Sequence, residues 1–260
     1  MAVNTHRCVQ CDSVYSNPMP ININQFYESE NPDEYFDVIL TKDDILKRWE
    51  SIQQFMQNDI KGLARVLDVG AGIGIWTRFL AKRFNEVIAI EPSGTFFKVL
   101  KKNTSDASNI QALQCTLEEF ASEHSEARFD LVFIHEVLEH VPNPVEILSI
   151  ARNMLKNSGI IYICVPNNRW LTYELVKLVY GLTGRCFTPH LAPLHPPFHL
   201  YEFSKNTIRY MASMLNLDIV AIQTRTDRTY VPGLLHPIVK FFSRLLDKGY
   251  EVEVLLKKST

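Results

Sequence analysis

The 260-residue sequence has no surplus of either charge: 27 Lys and Arg face 29 Asp and Glu, a formal net charge of −2. That balance argues against a protein that lives on nucleic acid or anionic lipid and favours a small or neutral partner. No apolar run is long enough to span a bilayer, so no membrane role is expected. The opening MAVNTHRCVQCDSV lacks the apolar segment of a secretory signal. Cysteine is scarce, five in all, and Cys115, Cys164 and Cys186 stand singly, which excludes a disulfide framework and implies a reducing, cytoplasmic setting. No internal repeat is visible. What is present is 46% hydrophobic and 22% charged residues, a globular balance with material for a core. At this length one main domain is expected, and a weak oligomer stays open.

Three regions separate by rhythm. Residues 1–41 are rich in Asn, Pro and Tyr, with NPMPININ and ENPDE as breakers, and read as an irregular arm. From Lys42 to Lys61, Ile45, Trp49, Ile52 and Met56 recur at helical spacing, so a covering helix is expected over about 42–60. The apolar runs VLDVG, VIAIEP, IQALQC, FDLVFIH and GIIYICVPN then alternate with helical patterns at 75–84, 94–103 and 144–156. Such alternation predicts an α/β fold, a doubly wound, mostly parallel sheet covered on both faces. After Pro166 the rhythm breaks into an apolar stretch at 170–182, a Pro- and His-rich loop at 188–199 and a helix at 205–215, followed by two strand-like runs, LDIVAIQT and YEVEVLLKK.

In an open parallel sheet, ligands bind beyond the carboxyl ends of the strands. The first central strand ends in Gly70, Gly72 and Gly74, where alternating glycines permit a tight turn and close approach of a ligand to the backbone. Asp68 is a carboxylate inside an apolar strand, costly unless a partner meets it. The second strand ends in Glu91, 21 positions after Gly70, where an acid can accept from both hydroxyls of a ribose. Together these predict a nucleoside-type ligand. A dinucleotide fingerprint would need Gly where the chain has Ile75, which argues against NAD.

The ordered motifs RVLDVGAGIG, VIAIEP, FDLVFIHEVLEHVPNP and LKNSGIIYICVPN resemble those of the class I S-adenosylmethionine (SAM)-dependent methyltransferases, over about residues 62–225. The resemblance implies a seven-stranded sheet whose last strands form an antiparallel hairpin. It also implies SAM as cofactor, with Asp68, Gly70 and Gly72 around its methionine part, Glu91 on the ribose, Thr116 and Leu117 near the adenine, and His135 by the methionine moiety. Thr116 departs from the Asp often found at that place.

Methyl transfer from a sulfonium to a hydroxyl needs an aligned nucleophile and a base or metal to take its proton. Glu136, Glu139 and His140 follow the fourth strand at i, i+3 and i+4 and would share a face if a helical turn forms. Three readings stay open. His140 is a neutral base oriented by a carboxylate, or Glu136, Glu139 and His140 with His199 bind a divalent ion, or EVLEH is scaffolding whose carboxylates cap loops. The metal reading resembles O-methyltransferases acting on catechol-like quinone precursors or on the 3′-terminal ribose of small RNAs. His190, His195 and His199 lie in a loop stiffened by four prolines, Pro189, Pro193, Pro196 and Pro197. With Trp170, Tyr173 and Phe187, the insertion 167–203 is the candidate substrate lid.

Cys8 and Cys11 form C-x-x-C, to which His6 adds at best a third ligand, and a closed zinc site needs four. The stretch HRCVQCDSVYSNPMP resembles the second knuckle of a zinc ribbon that precedes some sugar and natural-product methyltransferases, so a truncated ribbon without stable zinc is expected. The whole then reads as arm 1–41 and methyltransferase domain 42–260. The expected activity is methylation of a small-molecule acceptor at oxygen in natural-product, sugar or cofactor biosynthesis. The alternatives are a metal-dependent phenol or ribose O-methyltransferase and a non-catalytic SAM-binding subunit.

Overall fold

The computed structural model describes residues 4–17, 19, 42–56, 64–185, 191, 199–226, 229, 231 and 233–259. A seven-stranded sheet runs in the order β5-β4-β3-β6-β7-β10-β9. Its strands are β3 (Arg65–Val69), β4 (Glu86–Ile90), β5 (Ile110–Leu113), β6 (Phe129–His135), β7 (Leu155–Pro166), β9 (Leu217–Arg225) and β10 (Glu251–Lys258). Strands β3, β4 and β5 are parallel, as are β3 and β6, whereas β9 and β10 are antiparallel. This is the doubly wound sheet with a C-terminal antiparallel pair read from the sequence. The chain divides into two compact units, one of residues 22–134 and 147–161, the other of residues 1–21, 135–146 and 162–260.

The first unit holds the parallel strands. β6 is buried along its whole length, as a mainly apolar run between two helical layers should be, with Asp130 and His135 its polar members. The helices α1 (Lys42–Met56), α2 (Ile75–Ala81), α3 (Gly94–Asn103) and α4 (Leu117–Glu123) accompany them. On α1, Trp49 stacks on Phe79 of α2 with ring centroids 5.2 Å apart, and Ile52 and Met56 are buried, so the covering helix covers α2. Residues 57–60 of that predicted helix lie outside the described residues. Local sequence sets the starts: Ser93 caps α3, Thr116 and Glu119 form a reciprocal capping box on α4, and Gly74 begins α2 at φ +86°.

The second unit contains β9, β10 and a small antiparallel sheet of β1 (Asn4–Arg7), β2 (Val14–Asn17) and β8 (Tyr201–Glu202). The stretch read as an irregular arm thus opens with an ordered hairpin, because Asp12 takes a left-handed φ of +66° and closes the turn that carries Cys8 and Cys11. Of the remaining helices, α5 (Pro144–Asn153) stops where β7 begins at Leu155, shorter than the 144–156 pattern suggested. α6 (Leu171–Leu182), α7 (Lys205–Met214) and α8 (His236–Leu245) follow. Among the described residues no helix is long and apolar enough to cross a membrane.

Candidate active site

The glycine turn at the end of β3 is built from backbone. Gly70, Gly72 and Gly74 have φ of +66°, +56° and +86°, a region that a side chain disfavours. At Gly74 a Cβ would also lie 2.7 Å from Leu100 Cδ1, so the Leu100 side chain would have to shift. The turn is tied to the next strand: Ala71 N donates to Ile90 O at 3.0 Å, and Gly72 N donates to Glu91 Oε2 at 2.8 Å. The other oxygen of Glu91 accepts from Ser93 N at 2.9 Å. Two backbone donors thus orient the Glu91 carboxylate at the end of β4.

Asp68 is buried and accepts from Thr77 Oγ1 at 2.6 Å, which answers the cost its place in an apolar strand implied. Burial pushes its carboxyl up to about 7; the Thr77 hydroxyl opposes the shift and the nearby Glu91 charge adds to it. Thr116 spends its hydroxyl on the α4 cap, accepting from Glu119 N at 3.2 Å, and Leu117 behind it is buried. The Thr116 departure from Asp therefore coincides with a helix-capping duty.

In the second unit, His135 ends β6 buried, its Nδ1 3.9 Å from Glu136 Oε2 and its ring stacked on Tyr162 at 6.4 Å. The helical turn foreseen after it is only a three-residue 3-10 turn, Leu138–His140, and Glu136 lies outside it at φ +55°. Glu136 thus leaves the shared face, while Glu139, His140 and His199 come together with one ligand atom of each within 4.8 Å of the others. The rings of His140 and His199 meet edge to face at 5.0 Å. Local backbone holds the three in place, because Leu200 N, next to His199, donates to Glu139 O at 2.7 Å.

Glu139 is fully buried, and neither of its carboxylate oxygens has a hydrogen-bond partner among the described residues. Burial, then the charges of Glu136 and Glu251, push its carboxyl well above the usual range. Among the described residues this carboxylate caps no loop. His190, His195 and Phe187 lie outside the described residues; elsewhere in the insertion 167–203, Trp170 stacks on Tyr173 at 6.4 Å and meets Tyr250 edge-on at 5.2 Å.

Sequence reasoning missed three contributors. Ser93 follows Glu91 by two residues and completes its clamp, and Thr77 partners Asp68. A buried lattice backs His135: Tyr162 OH donates to Glu253 Oε1 at 2.8 Å, and Arg225 donates to the same oxygen at 2.9 Å. The available signal was the pair Glu251 and Glu253, alternating with the apolar Val252 and Val254 in β10. Cys8 and Cys11 lie in the β1–β2 turn with Cys11 Sγ 3.3 Å from Ser13 Oγ, and His6 stacks on Tyr15. Among the described residues no metal-type group of three includes either cysteine.

Residues 67–163 match the family model described as a methyltransferase domain. Solved structures agree over nearly the whole chain: magnesium protoporphyrin IX methyltransferase of Synechocystis PCC 6803, with bound S-adenosylhomocysteine, superposes with a TM-score of 0.64 at 14% identity, covering 91% of this chain and 98% of that one. A SAM-dependent methyltransferase of Leishmania major gives 0.63 at 13% identity, covering 90% and 81%. The fold is that of the class I SAM-dependent methyltransferases. The ubiquinone biosynthesis O-methyltransferase of Glaesserella parasuis serovar 5 (strain SH0165) is 34% identical over 116 residues, 43% of this chain and 49% of the relative. The protein of the same name from Pasteurella multocida (strain Pm70) is 32% identical over 121 residues, 43% and 50%. The chain spans about half the length of the curated relatives it matches.

Proposed function

We propose that the chain transfers a methyl group from SAM to a small-molecule acceptor at oxygen, in cofactor biosynthesis. The observation that carries this reading is the Glu91 carboxylate, oriented by Gly72 N and Ser93 N at the end of β4 beside a turn of left-handed glycines. That arrangement suits a ribose, whose two hydroxyls would donate to it. When bound, SAM supplies an electrophilic methyl group on a sulfonium. Asp68, Gly70 and Gly72 take the methionine part, Thr116 and Leu117 border the adenine, and His135 stands by the methionine moiety. His140 receives the acceptor's proton, with Glu139 and His199 fixing its surroundings. The acceptor's oxygen and its phenol-like character are borrowed from the quinone-pathway relatives. The reduced thiols of Cys115 and Cys164 suit a cytoplasmic setting.

A second reading of the acceptor chemistry is favoured by Glu139. A buried carboxylate without a hydrogen-bond partner among the described residues, grouped with two imidazoles, has the donor set of a divalent cation site. Glu139, His140 and His199 would hold the ion, which would lower the pKa of the acceptor hydroxyl. Glu136 is no longer part of that set.

The test is transfer of radiolabelled methyl from SAM to a catechol-type acceptor, with and without chelator. Label in the acceptor supports the transferase reading, and its loss on chelation selects the metal over the His140 base. No label in any of a panel of phenolic acceptors, from a chain that binds SAM, removes the phenol.

A further inference from the structure

A cavity of about 420 Å³ in the second unit has a wall that the methyl-transfer reading does not use. It lies between the N-terminal hairpin, the segment after β7 and α6, and its polar lining includes Arg7, Asn168, Arg169 and Lys177, with Leu178 and Leu182 at its apolar end. The volume is that of a small-molecule site.

Its surroundings are chemically incomplete. Glu202 of β8 is 4% exposed, and its Oε2 has no hydrogen-bond partner among the described residues. It lies close to the cavity, within reach of the charges of Arg7 and Lys177, both of which line it. Asn168, 2% exposed, directs its Nδ2 to the carbonyls of Asp12 and Glu202 at 2.9 and 3.3 Å. Those two acceptors settle the amide's orientation and leave Oδ1, which also has no partner among the described residues. Each such buried atom destabilises the fold until something pairs with it. Burial pushes the Glu202 carboxyl up to about 8, against the pull of Arg7 and Lys177, so at neutral pH it is chiefly an uncharged group that both donates and accepts.

The walls are cationic. Arg7 and Arg169 share the single carboxylate of Asp12, and Glu174 is bridged by Lys248 and by Arg169 at 3.7 Å. The ammonium of Lys177 lies 6.0 Å over the Tyr173 ring and is exposed toward the cavity mouth. One ligand chemistry answers all three features: an anionic group for the cations, hydroxyl donors for Asn168 Oδ1 and Glu202, and a carbon frame against Leu178 and Leu182.

We infer that this cavity is a binding site for a small organic anion bearing hydroxyl groups, the chemistry shared by sugar phosphates and hydroxy acids. The site stands on its own residues and does not depend on the methyl-transfer reading.

Calorimetric titration of the full chain with glucose 6-phosphate and with gluconate tests it, with glucose and inorganic phosphate as controls. At least one of the two probes is expected to saturate with a Kd below about 1 mM, and each control to bind at least about ten-fold more weakly. Whichever probe binds more tightly identifies phosphate or carboxylate as the anion. Lys177→Glu, at an exposed position, should weaken the probe by about ten-fold or more, as loss and reversal of a charge-assisted contact requires. Glu202→Leu should abolish binding while leaving the melting temperature equal or higher, because it removes a buried oxygen, Oε2, that has no partner among the described residues. Absence of saturation by both probes overturns the inference, as does equal binding of inorganic phosphate. Binding that survives both substitutions, or a Glu202→Leu chain that melts lower and still binds, assigns these side chains to the fold and equally overturns it.

Discussion

Glu91 and Glu139 are both buried carboxylates just past a strand of the same sheet, yet they are held in opposite ways. Glu91 receives Gly72 N and Ser93 N, so its position is complete before any ligand arrives. Glu139 is packed at 0% exposure with neither oxygen bonded among the described residues, and its neighbours are imidazoles and other carboxylates. The first region is made of backbone geometry and is preorganised for a nucleoside. The second is made of side chains and is incomplete until a proton, a cation or an acceptor joins it. A buried group can be oriented at little cost where main-chain donors are at hand, whereas an unpaired one stores a penalty that function can draw on.

The largest effect that would sharpen this contrast is on turnover. Glu139→Ala should lower kcat by about 10²–10⁴-fold, the range for loss of an acid, base or cation site, while the affinity for SAM measured by calorimetry stays unchanged. Equal loss of SAM affinity would break the division of labour. Glu91→Ala should do the reverse. With hydrogen bonds to a charged group worth about 1.5–3 kcal/mol, SAM affinity should fall by about 10–100-fold.

Smaller effects concern stability. Gly74→Ala meets both a left-handed φ and a contact at 2.7 Å, so urea denaturation should show a loss of about 1–3 kcal/mol. Gly184→Ala has a φ of +68° but open space around it and should cost only about 1 kcal/mol. A further effect on stability is one of pH. The Asp68 carboxyl is raised from 3.8 to about 7, so the folded chain binds a proton that the unfolded chain has released over that interval. Its contribution to stability is present below pH 3.8 and is lost as pH rises through about 7. Asp68→Asn should flatten the dependence of the melting temperature on pH in that window, and an unaltered slope would assign the linkage to another group.

How much of this was legible beforehand divides along the same line. The parallel strands were readable because β3, β4 and β6 are apolar runs of strand length between helical periods, and β6 was bounded to the residue at Phe129–His135. The glycine turn and Glu91 were readable because their roles follow from backbone and strand-end position. The 3-10 turn was not: three residues carry no period, and the departure of Glu136 rests on its left-handed φ. Helix α4 was hidden because seven residues give two buried side chains, Leu117 and Phe120, too few for a pattern. The N-terminal hairpin escaped because its partner, β8, is 184 positions further on at Tyr201–Glu202, counted from Asn17, and is two residues long. His199 was recognised as a candidate, but only tertiary contact, through Leu200 N on Glu139 O, brings it to Glu139 and His140.

The most direct test of the account is calorimetric titration of three chains, wild type, Glu91→Ala and Glu139→Ala, with S-adenosylhomocysteine. The account predicts saturable binding by the wild type, the same affinity in Glu139→Ala, and a marked loss in Glu91→Ala. A wild-type chain that gives no saturable heat, or a Glu91→Ala chain that binds as well as wild type, would contradict it.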